Sequence, residues 1–371
     1  MTNIEDAHLE IVAASHPGMA GKKNEDRYGV SAFLTGLKGD EPAVLAVLCD
    51  GIGGHRAGEV AAQMGVNLIT ETVKSSDGSQ PVNTLGESIK RANHAIYEAS
   101  LSDQGRKGMG TTCACAWVIQ DRLYTANLGD SRIYLLREGH ILQLTTDHTW
   151  LQEAFDAGII DQAQGEVHPN AHVIRRYLGS QTPPQPDFRL WFFEGEGDAE
   201  ALDNQGLRLQ AGDVLLICSD GLTDLVTDQE IHALVKSTSF NNTPAALIDL
   251  ANSRGGHDNI TTLMMRVPSQ PGDRTGKGRQ RRRWVGCLAA LIALGILAAA
   301  VYLGMRWWEG RSEPLATTSP TITAPLSTGT PEVYPTQLTN TPQVIYSPTV
   351  REDMATPRYT ITPWPTHTSV P

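Results

Sequence analysis

Two apolar runs organise the first two thirds of the chain. "AVLAVLC" (43–49) and "DVLLICSD" (213–220) read as buried strands. "GEVAAQMGVNLITETVK" has helical spacing, with Val60, Met64, Leu68 and Thr72 on one face. "TLGESIKRANHAIYEAS" repeats that spacing with Leu85, Ile89, Ala92 and Ile96. From Thr111 to Gln143 the pattern predicts three short strands, with turns at "QDR" and "REGH". There is no room for crossover helices between them, so the strands pair antiparallel. Thr227 to Glu230 form a capping box that opens the helix "DQEIHALVKS", and "ITTLMMRV" closes the region as a strand. Antiparallel strands interrupted by helix pairs predict an α+β layered sandwich over residues 1–267.

The pattern then changes. Residues 268–283, "PSQPGDRTGKGRQRRR", read as a basic linker. The run 284–305, "WVGCLAALIALGILAAAVYLGM", carries no charge. At about 1.5 Å per helical residue it is long enough to cross a bilayer core of about 30 Å. Trp284, Tyr302, Trp307 and Trp308 stand at its ends, where interfacial aromatics belong. Basic residues crowd before the run, from Arg274 to Arg283, which predicts a single-pass span with the N-terminal domain cytoplasmic. Residues 306–371 are rich in Thr-Pro and Ser-Pro and are expected to form a disordered extracytoplasmic tail. "MTNIEDAHLE" is polar and acidic, unlike a secretory signal.

Charge sharpens this division. The whole chain carries a net charge of −11, yet residues 1–272 hold 20 basic against 35 acidic residues. So acidic a domain argues against nucleic acid as a partner, because phosphate contacts need Lys and Arg. Of the five cysteines, Cys49, Cys113, Cys115 and Cys218 sit in apolar strand-like runs. Cys113 and Cys115 have no second pair to complete a zinc site, so they read as buried apolar residues of a reducing compartment.

The candidate chemistry sits where apolar strands end. In "VLCDGIGGHRAGEV" (47–60) a strand delivers Asp50 into a glycine-rich turn. A phosphate-cradling P-loop needs GxxxxGK[ST], and neither the lysine nor the hydroxyl is present. Asp220, Asp258 and Asp130 also stand next to glycine or in turns at predicted strand ends. One sheet system could gather all four on a common rim. Carboxylates converging there without cationic partners repel one another, and a bound divalent cation removes that repulsion. An all-oxygen ligand set selects Mg²⁺ or Mn²⁺ over zinc.

Taken in order, the motifs "NEDR" (24–27), "CDGIGGHRAGEVAA" (49–62), "GMGTT" (108–112), "NLGDSRIYLLREG" (127–139), "DHTW" (147–150), "CSDGLTD" (218–224) and "GGHDNIT" (255–261) carry a resemblance. Residues 8 to 267 resemble the bacterial branch of the type 2C, metal-dependent protein serine/threonine phosphatases. The resemblance implies two packed antiparallel sheets flanked by helices, an α-β-β-α sandwich. It implies hydrolysis of phosphoserine and phosphothreonine in proteins by a metal-bridged water at a Mn²⁺ or Mg²⁺ centre, opposing Ser/Thr kinases. Asp50 would bridge two ions, Gly51 would offer its carbonyl, and Asp220 and Asp258 would complete the site. Asp130, with Asp220, matches the position that binds a third metal in bacterial members. Asp26 would stand behind the ligands, and residues from about 146 to 189 would form a flap. His55, in the metal-binding turn, is either the proton donor to the leaving alkoxide or the cap of the following helix.

One departure is visible. The family carries an arginine four residues before the glutamate of "NED", where it grips the substrate phosphate; here that position is Gly21. Lys22 and Lys23 follow and are the candidate replacements, as point charges rather than a bidentate fork. The competing reading is a weakly active or inactive phosphoprotein-binding scaffold of the same fold. A third reading, in which the tail senses a ligand, finds no folded segment there to bind one.

Overall fold

Each of the two apolar runs becomes a central strand with both faces covered. The structure, a computed structural model, describes residues 1–3, 6–36, 41–52, 57–161, 165, 168–193 and 195–268. The linker, the apolar run 284–305, the tail and His55 therefore lie outside the described residues. Among the described residues no helix is long and apolar enough to cross a membrane.

The strands are β1 (Thr2–Asn3), β2 (Glu10–His16), β3 (Arg27–Thr35), β4 (Glu41–Cys49), β5 (Gly51–Ile52), β6 (Gly110–Thr111) and β7 (Cys113–Ile119). They continue with β8 (Arg122–Leu128), β9 (Arg132–Arg137), β10 (His140–Gln143), β11 (Leu207–Arg208), β12 (Val214–Cys218) and β13 (Ile260–Arg266). The helices are α1 (Ala57–Ser75), α2 (Pro81–Ser102), α3 (Trp150–Asp156), α4 (Asp198–Asp203), α5 (Asp220–Thr223), α6 (Asp228–Ser237) and α7 (Thr243–Ser253). One sheet runs β1-β3-β4-β7-β8-β11 and the other β10-β9-β12-β13-β2, with every pairing antiparallel.

Side-chain alternation divides the core into three layers. In β4, Leu45, Val47 and Cys49 pack with Ile69 of α1 and Ile89 of α2. Val44, Ala46 and Leu48 face the other way and meet Leu215, Ile217 and Leu263 of the second sheet. Leu216 and Met264 turn outward again onto Ile231, Leu247 and Ile248 of α6 and α7. The result is the expected α-β-β-α sandwich. A strand buried on both faces must be apolar throughout, which is why these runs do not alternate.

Two expectations need correcting. The stretch after Thr111 holds four strands, β7 to β10, rather than three. The extra break falls at Gly129, Asp130 and Ser131, where the chain leaves the first sheet and enters the second. Gly129 takes φ +99 there, and a Cβ on it would lie 2.5 Å from Thr112 Cγ2. The core face of α1 is also displaced. Ala61, Ala62, Gly65, Ile69 and Val73 are the buried positions, while Val60, Met64, Leu68 and Thr72 are only half-buried. Gly65 lets the helix approach β4, since a Cβ there would stand 3.0 Å from Cys49 Sγ. Hydrophobicity alone selects the larger side chains, but small residues permit the close approach to the sheet. The capping box at Thr227 and Glu230 forms as expected.

Candidate active site

The site grows from the ends of the two central strands. β4 finishes at Cys49, and the backbone of Asp50 is then pinned. Its N–H donates to Thr112 Oγ1 at 2.9 Å. Its carbonyl accepts from Thr112 N at 2.8 Å and Thr111 Oγ1 at 2.7 Å. Gly51 begins β5, which pairs with β6. A Cβ on Gly51 would lie 2.4 Å from the Gly58 carbonyl carbon, so only glycine lets this strand cross the start of α1.

On the second sheet, β12 leads through Ser219 to Asp220. A Cβ on Gly221 would stand 2.0 Å from the Asn259 carbonyl oxygen, which locks the exit of β12 against the entry to β13. Asp258 lies in that entry turn, with Oδ1 accepting from Asn259 N at 2.8 Å. Asp26, just before β3, is buried and accepts from Ser219 Oγ at 2.8 Å. Ser219 Oγ in turn accepts from Thr261 N at 2.9 Å. Asp130 is buried in the turn that changes sheets.

These carboxylates act on one another. Burial, then the charges of Asp26, Asp220 and Asp130, raises the Asp50 pKa well above the ordinary carboxylate range. Burial, then Asp130, Asp224, Asp26 and Asp258, does the same to Asp220. Burial also raises Asp26, against hydrogen bonds from Thr261 and Ser219 that oppose it. Burial, with the charges of Asp147 and Asp224, pushes Asp130 up to about 7. Ionised carboxylates cannot donate to each other, and Asp26 Oδ1, Asp130 Oδ1 and Asp220 Oδ1 are buried with no hydrogen-bond partner. Among the described residues, Asp26, Asp50, Asp130 and Asp220 make no ion pair, and no group of three or more His, Cys, Asp or Glu side chains is gathered closely enough to hold a metal ion as it stands. Orphaned acceptors in an all-oxygen set fit hard divalent cations.

Of the two candidate lysines, only Lys22 reaches this rim, with Nζ 3.2 Å from Asp258 Oδ2. Lys23 instead pairs with Glu59, which also holds Arg27. Gly21 turns through φ +71 with open space about it, so the loop bends where the family carries arginine and directs the next residue to the rim. Sequence reasoning assigned no role to Thr111, Thr112, Ser219 or Thr261. Their signal was weak: single hydroxyl residues beside the ends of apolar strands. Asp224 was also passed over; its Oδ2 lies 3.3 Å from His257 Nε2 and 3.8 Å from His172 Nδ1.

An α-β-β-α sandwich with a carboxylate rim at its strand ends defines a class, and comparison with known proteins gives its family. A profile described as Protein phosphatase 2C matches residues 17–154. A putative protein phosphatase 2C-type from Streptococcus pyogenes is 35% identical over 267 residues, covering 71% of this chain and 99% of that protein. The serine/threonine phosphatase stp of Listeria monocytogenes is 35% identical over 261 residues, covering 69% and 93%. The solved S. agalactiae serine/threonine phosphatase superposes with a TM-score of 0.60 at 31% identity, covering 70% and 99%. The catalytic domain of the phosphatase PstP, solved with two manganese ions, gives 0.55 at 31% identity, covering 70% and 97%. The chain belongs to the protein phosphatase 2C family.

Proposed function

We propose that this chain is a protein serine/threonine phosphatase that uses Mn²⁺ or Mg²⁺. Its substrates are phosphorylated proteins, and it counteracts Ser/Thr kinases. The observation that carries this reading is the rim itself: Asp26, Asp50, Asp130 and Asp220 have raised pKa values, three of their oxygens are orphaned, and none of these four makes an ion pair among the described residues, while Asp258 pairs with Lys22. A protein that only bound phosphopeptides would have no use for such a self-repelling cluster, so the scaffold reading is not favoured.

In this reading Asp50, the Gly51 carbonyl, Asp220 and Asp258 would hold two ions, and Asp130 with Asp220 would hold a third. When bound, such ions neutralise phosphoryl charge and acidify the attacking water near neutral pH. The chain's own residues prepare the ground. Thr111 and Thr112 hold the Asp50 backbone. Ser219 and Thr261 hold Asp26 against the back of the cluster. Lys22 stands at the edge, where its charge meets a substrate phosphate in place of the absent arginine. His55, outside the described residues, remains on sequence grounds either the proton donor to the leaving alkoxide or the cap of the following helix.

The run 284–305 is proposed as a single-pass anchor, with the phosphatase domain cytoplasmic and the tail outside; its support is the uncharged sequence and the basic residues before it. External protease should remove a tag at residue 371 from intact cells, and protection of that tag overturns the topology. For the activity, the full chain should release phosphate from a phosphothreonine peptide with Mn²⁺ and lose this on EDTA treatment. Turnover that ignores EDTA overturns the reading.

A further inference from the structure

The motif "DHTW" has so far had no task, yet its histidine is buried. His148 Nδ1 lies 3.1 Å from the Gly129 amide nitrogen. A backbone amide can only donate, so Nδ1 must present its lone pair and the ring proton must sit on Nε2. Nε2 lies 3.2 Å from Asp187 Oδ2, an acceptor that holds the proton there. Arg189 fixes Asp187 in turn through four contacts, one from its backbone N–H to Oδ1 at 2.9 Å and three from its guanidinium, with Nη2 to Oδ2 at 2.6 Å the shortest.

The main chain closes a second loop around the same point. His148 N donates to the Gly129 carbonyl at 2.9 Å, and Asn127 Nδ2 donates to that carbonyl at 3.4 Å. The His148 carbonyl accepts from Arg175 N at 2.7 Å, and Trp150 N donates to the Val173 carbonyl at 2.8 Å. So His148 grips both polar groups of Gly129 and also holds the returning strand of the flap. Gly129 holds φ +99 in this turn, a backbone conformation that favours glycine. The next residue is Asp130, whose buried Oδ1 has no partner.

We infer that His148 is a positioning residue: held as the Nε2–H tautomer by Asp187, it fixes the Gly129 turn so that Asp130 faces the acidic rim. This rests on the metal-dependent reading above. Groups that hold a metal site's ligands in place from behind are costly to lose, roughly 10–100-fold in metal affinity or activity.

Two variants of the full chain separate the side chain's two bonds. His148→Asn keeps an acceptor near the Nδ1 position but cannot reach Asp187. His148→Gln keeps a donor toward Asp187 but offers Gly129 nothing. Hydrogen–deuterium exchange over residues 127–131 of the metal-free protein is expected to quicken about tenfold or more in the Gln variant and to stay near parental in the Asn variant. In a Mn²⁺ titration without substrate, the weakest-bound ion should bind about tenfold more weakly to the Gln variant. Its kcat should fall while KM for a phosphopeptide holds. Unchanged exchange in the Gln variant overturns the proposal. So do equal losses in both variants that merely track the melting temperature. Quickened exchange in the Gln variant, together with a parent that binds no Mn²⁺, supports the positioning role and overturns the metal reading instead.

Discussion

The domain contains two kinds of enclosed carboxylate, and they are built differently. Asp187, Asp213 and Asp147 each come with an arginine: Arg189 at 2.6 Å, Arg137 at 2.6 Å and Arg132 at 2.7 Å. Burial works against the Asp187 carboxylate, but hydrogen bonds from His148 and Arg189 outweigh it and hold its pKa well below the usual range. Asp26, Asp50, Asp130 and Asp220 face one another instead, and their pKa values are raised. The first set neutralises its charge within the chain and is complete. In the proposed reading, the second set would be completed by cations from outside. A carboxylate supplied with its own arginine is a structural part; one left without it marks the site.

The contrast can be broken most sharply by substitution. Asp50→Asn should lower Mn²⁺-dependent phosphatase activity by more than about a hundredfold, beyond the usual loss for residues behind a metal site. The same change should raise the melting temperature of the metal-free protein, because it removes one charge from a self-repelling cluster. A fall in that temperature would mean the rim carboxylates are not in conflict. Arg137→Met should do the reverse. It strands the buried Asp213 charge and should cost about 3 kcal/mol in urea unfolding, while the folded fraction keeps its kcat.

Asp187 and the rim groups respond oppositely to pH. Rim groups have folded pKa values above their unfolded values, so their contribution is fully present at low pH. It should be lost as pH rises from about 4, the ordinary carboxylate value, towards the Asp130 value of about 7. Asp187, with its folded pKa depressed, contributes stability above that ordinary range and loses it as pH falls below. Metal-free protein should therefore weaken between pH 4 and 7, and Mn²⁺ should flatten that decline. Thermal melts across this range, with and without Mn²⁺, test the sign. The smallest expected effect lies at the edge of the rim. Lys22→Ala should raise KM about tenfold, the loss of one charge-assisted contact. Lys23→Ala, an exposed partner of Glu59, should leave KM unchanged.

Much of this was legible along the chain because it is local. An apolar run ending in Asp-Gly announces a buried strand that delivers a carboxylate, and both β4 and β12 do so. The capping box at Thr227 needs only four consecutive residues, and it formed as read. The face of α1 was misread because closeness to the sheet is decided by Gly65 against Cys49, a contact between separate elements. The break at Gly129 was missed for a related reason. "TANLGDSRIYLL" has apolar residues on both sides, and nothing local says that they enter different sheets. Likewise, Lys22 and Lys23 are equivalent as neighbours in sequence. Only the folded loop gives one to Asp258 and the other to Glu59.

By itself the sequence determined the two central strands, the acidic residues at their ends and the resemblance to the family, since each depends on residue type and short spacing. The tertiary structure alone decided which acids lack cationic partners, which hydroxyls hold them and which lysine stands beside them. Ser219 reaches Asp26 across 193 residues, and His148 reaches Asp187 across 39. Burial and mutual repulsion arise only when such distant groups share one low-dielectric space, so the pKa shifts that mark the rim have no counterpart in the linear chain.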